Sequence, residues 1–151
     1  MLVSCLSTLL LACNRTASDH QAEQDARDVA WVEAAQKVHP PVQPLDPQPV
    51  DRDIRGIYSM AASGCEFLPR RRRGDAPIFV AGPVKAVLRV GDQPVVFAAD
   101  IGSPELAAGV RQKYTARALW AELSAVPGAL TLHDRWDRVV YAAAGTLTCH
   151  D

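Results

Sequence analysis

The sequence predicts a mainly β fold, α+β overall: a small antiparallel sheet or barrel preceded by one N-terminal helix and a proline-rich spacer. Three patterns lead there. Val84, Ala86, Leu88 and Val90 alternate against Lys85 and Arg89, the chain turns at Gly91-Asp92-Gln93-Pro94, and Val95–Ala99 returns, the period-2 signature of a hairpin. Leu130-Thr131-Leu132, the turn residues Asp134-Arg135-Trp136-Asp137 and the returning Val139–Ala142 repeat it near the C-terminus. Ahead of both, a helical period over residues 18–38 is cut off by His39-Pro40-Pro41. The chain has 151 residues, enough for one ordinary domain. At 48% hydrophobic and 22% charged it is not disordered wholesale. Its 16 basic and 17 acidic residues leave a net charge of −1, which argues against a nucleic-acid partner.

In chain order, Met1 to Cys13 (MLVSCLSTLLLAC) carries no charged side chain. Such a run is too short for a bilayer span of about 20 residues and fits the hydrophobic part of a secretory signal. Its end, Leu10-Leu11-Ala12-Cys13, resembles the lipobox of bacterial lipoproteins. That resemblance implies that residues 1–12 are removed as a signal peptide and that Cys13 becomes the lipidated N-terminus, held to the membrane by more than one acyl chain. Asn14 stands where an Asp would favour the inner membrane, so the expected location is the outer membrane, facing the periplasm.

Residues 13–49 read as lipid anchor, helix and linker. Ser18 with Gln21 makes a capping box, and Asp19, Glu23 and Lys37 suit the two poles of the helix dipole. Trp31, Ala34, Ala35 and Val38 share one modest apolar face. Pro40, Pro41, Pro44, Pro47 and Pro49 then favour an extended polyproline stretch that holds the domain off the membrane.

The globular domain is expected over residues 50–151. Ile54–Met60 reads as a compact first strand region and Ile78–Val80 as a short strand. Ser103-Pro104-Glu105 suits the start of a short helix. Residues 113–123 carry two signals: alanine and leucine favour helix, while Tyr114, Ala116, Ala118 and Trp120 alternate like a strand face. Their place between two hairpins favours strand. Gly145 marks a bulge or bend in the last strand. The total is about six to eight strands, and closing them into a barrel removes exposed edges.

With Cys5 in the signal and Cys13 at the lipid site, Cys65 and Cys149 remain, and two cysteines in an exported domain most simply pair. No CxxC, P-loop, GxGxxG or GxSxG motif and no HxxxH spacing occurs, so neither metal nor cofactor is expected and the chain is read as a non-enzyme. Arg70, Arg71, Arg72 and Arg73 lie between Pro69 and Gly74 as an exposed loop suited to an anionic envelope partner. Trp136 at a hairpin tip is a second candidate contact.

Signal, spacer, small β domain and cysteine pair together resemble small envelope lipoproteins of Gram-negative bacteria. Gly102-Ser103 and the run from Gly109 to Tyr114 are a loose echo of the loop that membrane-bound inhibitors of c-type lysozyme insert into the enzyme cleft. That family's run is compact, whereas several residues intervene here. The likeness puts Ser103 and Lys113 forward as contacts. The sequence thus leads to a lipid-anchored protein with a non-enzymatic binding or structural role, and alternatively to an inhibitor or immunity protein against a peptidoglycan hydrolase.

Overall fold

A computed structural model describes residues 12–60, 63–71 and 76–150. The chain divides between Pro41 and Val42 into two units.

The first unit is a helix, α1 (Ala12–Lys37). It begins six residues before Ser18, so Ser18 and Gln21 are interior positions and not the expected helix start. The stop before His39-Pro40-Pro41 falls as expected. Arg27 pairs with Glu23 at 3.4 Å and Gln21 with Asp25 at 2.9 Å, both one helical turn apart and exposed. Among the described residues no helix is long and apolar enough to cross a membrane. Residues 1–11 of the expected signal lie outside the described residues.

The second unit is a closed antiparallel barrel. Its eight staves are β2 (Gly64–Pro69), β3 (Phe79–Ala81), β4 (Lys85–Val90), β5 (Gln93–Ala99), β8 (Lys113–Thr115), β9 (Leu119–Ala125), β10 (Gly128–Asp134) and β11 (Val139–His150). Each pairs with the next, and β11 closes on β2. Among the described residues there are three further strands: β1 (Pro47–Gln48), which extends the lane of β3 alongside β4, and β6 (Glu105–Ala107) with β7 (Val110–Arg111), a small hairpin between β5 and β8. The predicted mainly β fold is the observed one. Residues 113–123 resolve into strand, as favoured, but as two staves with a turn between them.

Alternation places Phe67, Leu88, Phe97, Tyr114, Leu123, Leu130 and Leu132 inside, all fully buried. Phe79 meets Phe97 and Tyr114 edge to face, with ring centroids at 5.6 and 5.9 Å. The described inward side chains pack together as one core cluster. β3 and β4 are buried on both faces, because Val50 and the partly buried Ile54, Tyr58 and Met60 cover Val80 and Val87 from outside. Those covering residues come from the segment expected as a strand. Ile54–Met60 instead contains a short helix, α2 (Arg52–Ile57), whose first turn is capped by Asp51: its carboxylate accepts the Ile54 N–H at 2.9 Å.

Both ends of the barrel are covered. At one end the excursion from Asp100 to Gln112 folds back. Val110 is fully buried, the Arg111 N–H donates to the Tyr114 hydroxyl at 3.0 Å, and that hydroxyl donates to the Gly82 carbonyl at 2.8 Å. Burial pushes the Tyr114 phenol above its ordinary pKa. The helix expected at Ser103-Pro104-Glu105 is absent. Ser103 instead ties a turn: its hydroxyl donates to the Asp100 carbonyl at 2.7 Å and accepts the Lys113 N–H at 3.1 Å. At the other end the tail of the expected spacer crosses the opening. The Leu45 N–H bonds the Val140 carbonyl at 2.9 Å, β1 pairs with Val90 and Arg89, and the Val50 N–H bonds Pro77 at 2.8 Å. Residues 42–49 therefore belong to the barrel, and the domain begins earlier than residue 50.

The hairpin at Asp134–Asp137 forms as expected, and Asp134 organises it. One carboxylate oxygen accepts the N–H groups of Trp136 at 2.9 Å and Arg138 at 3.0 Å, and the other takes the Arg138 guanidinium at 2.6 Å. Partial desolvation pushes its pKa up, but the Arg138 side chain, the two N–H groups and the Arg138 charge outweigh it and hold it below the usual carboxylate range. A carboxyl with a depressed native pKa stabilises the fold above its unfolded pKa, and that contribution is lost as pH falls through the native value. An Asp134→Asn variant is therefore expected to be less stable than wild type at neutral pH, with the difference closing on acidification, as parallel urea melts from pH 7 to pH 2 would show.

Candidate functional site

A filled core and two covered ends leave the outer wall as the place for contacts. Among the described residues it carries a groove of about 760 Å³ lined by Asp46, Pro69, Arg70, Arg71 and Tyr141–Ala144. It exists because β11 is twelve residues long and changes partners midway. Residues 129–133 of β10 pair with its first half, while β2 pairs only with Gly145–His150. On the side away from β10, the stretch before Gly145 faces a gap between the end of β2 and the crossing segment at Leu45. Two backbone bonds frame the gap, Leu45 N–H to Val140 at one end and Arg70 N–H to Ala144 at the other, both 2.9 Å.

The floor is shallow because Ala142, Ala143 and Ala144 carry only methyl groups. The rim is charged. Arg70 and Arg71 are exposed, and neither guanidinium has an ion pair among the described residues. On the opposite rim the Asp46 carboxylate accepts the Gln48 side-chain amide at 2.8 Å. The groove thus offers two cations at one end and a carboxylate at the other. Arg72 and Arg73 lie outside the described residues.

The other candidate residues fall elsewhere. Trp136 is half-buried, with the guanidinium carbons of Arg135 and Arg138 at 4.1 and 4.7 Å from its ring centroid. Trp120, which alternation alone marks as a strand residue, stacks on His133 at 3.7 Å with Lys113 Nζ 4.4 Å from its ring, and its indole N–H donates to Asp137 at 2.9 Å. These contacts occupy the aromatic rings with cations and a neighbouring imidazole of the chain itself. Ser103 and Lys113 are brought together by their hydrogen bond, away from the groove. Among the described residues no group of three or more His, Cys, Asp or Glu is placed to hold a metal ion.

Cys65 and Cys149 are bonded, directly opposite one another on β2 and β11 with Cα atoms 4.0 Å apart. The Arg70–Ala144 bond sets the phase of the ladder, so this pair occupies a non-hydrogen-bonded position, where side chains of adjacent strands stand closest. Beside it, the Arg55–Glu66 ion pair lines a cavity of about 180 Å³ with Gly64, Val80 and His150. Comparison with protein-family models, curated proteins and solved structures finds no match.

Proposed function

We propose that this chain is a lipid-anchored, non-enzymatic binding protein of the Gram-negative cell envelope, facing the periplasm from the outer membrane and presenting the gap between β2 and the first half of β11 to an anionic partner. The observation that carries the binding role is the groove itself, a concavity whose two guanidiniums have no ion pair among the described residues, on the wall of a barrel with a packed core cluster. A disulfide suits an oxidising compartment, and the lipobox-like Leu10–Cys13 supplies the anchor. Labelling with a palmitate analogue should mark the wild type and not Cys13→Ser; equal labelling removes the anchor from the proposal. The Cys13→Ser chain then serves as an unlipidated probe. Its retention on isolated outer membranes at low salt should fall about tenfold on Arg70→Glu/Arg71→Glu, since each basic residue contributes up to about 1 kcal/mol near an anionic surface. Unchanged retention removes the groove.

One observation favours a second reading, inhibition of a lysozyme-type hydrolase. The two separated parts of the inhibitor-like loop meet in space, through the Ser103 hydroxyl and the Lys113 N–H. On that reading micromolar protein slows hydrolysis of cell-wall glycan, and Ser103→Ala with Lys113→Ala relieves it.

A further inference from the structure

We infer that the groove receives the free carboxyl end of an extended protein chain, added as a short strand beside β11. The inference rests on the groove being the binding site proposed above, and it names the ligand and its direction.

Backbone pairing comes first. In an antiparallel ladder, successive residues turn their N–H and C=O groups to opposite sides. The Val140 and Ala144 carbonyls both point away from β10, since they accept from Leu45 and Arg70. Ala142, between them, turns its N–H and C=O the same way, and neither has a partner among the described residues. Ala142 is exposed, so among the described residues this is an open piece of sheet edge in the barrel wall.

Length decides what fits. From Val140 to Ala144 a strand advances about 13 Å at roughly 3.3 Å per residue. The same lane is filled by β2 beyond Ala144 and is met at Val140 by the crossing segment, through Leu45. There is room for about three residues of added strand and none for a strand that runs through. A chain end meets that restriction; an internal segment does not.

Charge selects the end and its direction. Arg70 and Arg71 stand at the Ala144 limit of the lane, where guanidinium forks suit a carboxylate. Asp46 stands near the Val140 limit, where it repels one. The terminal carboxylate therefore lies at the arginines, and the added segment runs parallel to β11. The methyl-only floor lets its backbone approach.

The experiment uses the full chain as Cys13→Ser and a fluorescein-labelled Gly-Gly-Ala-Ala-Ala peptide, read by anisotropy. The free-acid peptide is expected to bind, and its C-terminal amide at least about tenfold more weakly, the loss expected of one charge-assisted hydrogen bond. Arg70→Gln/Arg71→Gln should abolish the difference between acid and amide. Ala142→Pro replaces the N–H that faces the groove with a ring carbon and should weaken both peptides. Equal binding of acid and amide, or no binding of either at millimolar concentration, overturns the inference. Tighter binding of a D-Ala-D-Ala-ended probe overturns the assignment to a protein chain, in favour of a cell-wall peptide. The outer-membrane retention test is independent: arginine-dependent retention with no acid preference leaves the proposed function standing and defeats only the chain-end inference.

Discussion

Replacing Cys65 or Cys149 with Ser is expected to lower the stability of the barrel by about 2–5 kcal/mol. The topology explains why this bond matters. Every neighbouring pair of staves in the barrel follows directly in the sequence or is bridged by the short excursion between β5 and β8, except β2 with β11. That closure joins residues 84 apart, and the chain-entropy estimate for a loop of this size is about 4.5 kcal/mol. The disulfide sits across the one pairing that brings the beginning and end of the barrel together. For a domain of roughly 100 residues each kcal/mol moves Tm by about 4–8 °C, so a fall of roughly 10 °C or more is expected. Calorimetry of the wild type with and without reductant gives the same quantity even where a serine variant fails to accumulate. A fall of less than about 2 °C would show that the unpaired chain closes the barrel as well without the bond.

The parts of this fold that the sequence made legible are those fixed by near neighbours. The alternation of Val84–Val90 against Val95–Ala99, and of Leu130–Leu132 against Val139–Ala142, needs only a turn of suitable residues to become β4–β5 and β10–β11. The cysteine pairing was legible because two cysteines in an exported domain have one simple partner each. Asp51, with Asp53 in the first turn, is a readable start signal for α2, but the apolar run of Ile54, Tyr58 and Met60 fits a strand as well as one face of a short helix. The prolines of residues 42–49 suggest a spacer, yet Leu45 and Pro47 find hydrogen-bonded places on the barrel end, which composition does not reveal. The groove was half legible. Its arginines stood out as a run, but its floor is three alanines some seventy residues later that read as strand filler, and their role follows only from where β2 stops along β11.

Gly145→Ala is the substitution expected to do most damage for the fewest atoms. Gly145 was expected to mark a bulge or bend, but the irregularity in β11 lies earlier, opposite Leu132 and His133. Gly145 is instead the point where β11 passes from β10 to β2, opposite Pro69. A Cβ there would run into the Leu68 carbonyl oxygen, with Phe67 Cζ at 2.7 Å and the Pro69 Cα at 2.9 Å. Two of these three are backbone atoms of β2, which cannot rotate aside, and the third belongs to a fully buried ring. On the next strand Gly128 stands equally tight against Gly145, with the carbonyl carbon 3.2 Å from where a Cβ would be, so β11 has no slack on that side either. Relief requires β2 to move off β11, breaking the pairing that closes the barrel. Overpacking of this kind costs about 3 kcal/mol, the upper part of its usual range. Gly56→Ala is the matched control, because an added Cβ in α2 meets nothing within 4 Å; there the helix gains up to about 1 kcal/mol. Urea melts of the two variants should therefore move in opposite directions from the wild type. With Gly145→Ala the β2–β11 strain should also leave the Cys65–Cys149 bond more open to reductant, seen as faster thiol release at a denaturant concentration where the wild type is still folded. Equal stability of Gly145→Ala and wild type would mean that β2 and β11 do not approach as closely at this crossing as the barrel closure requires.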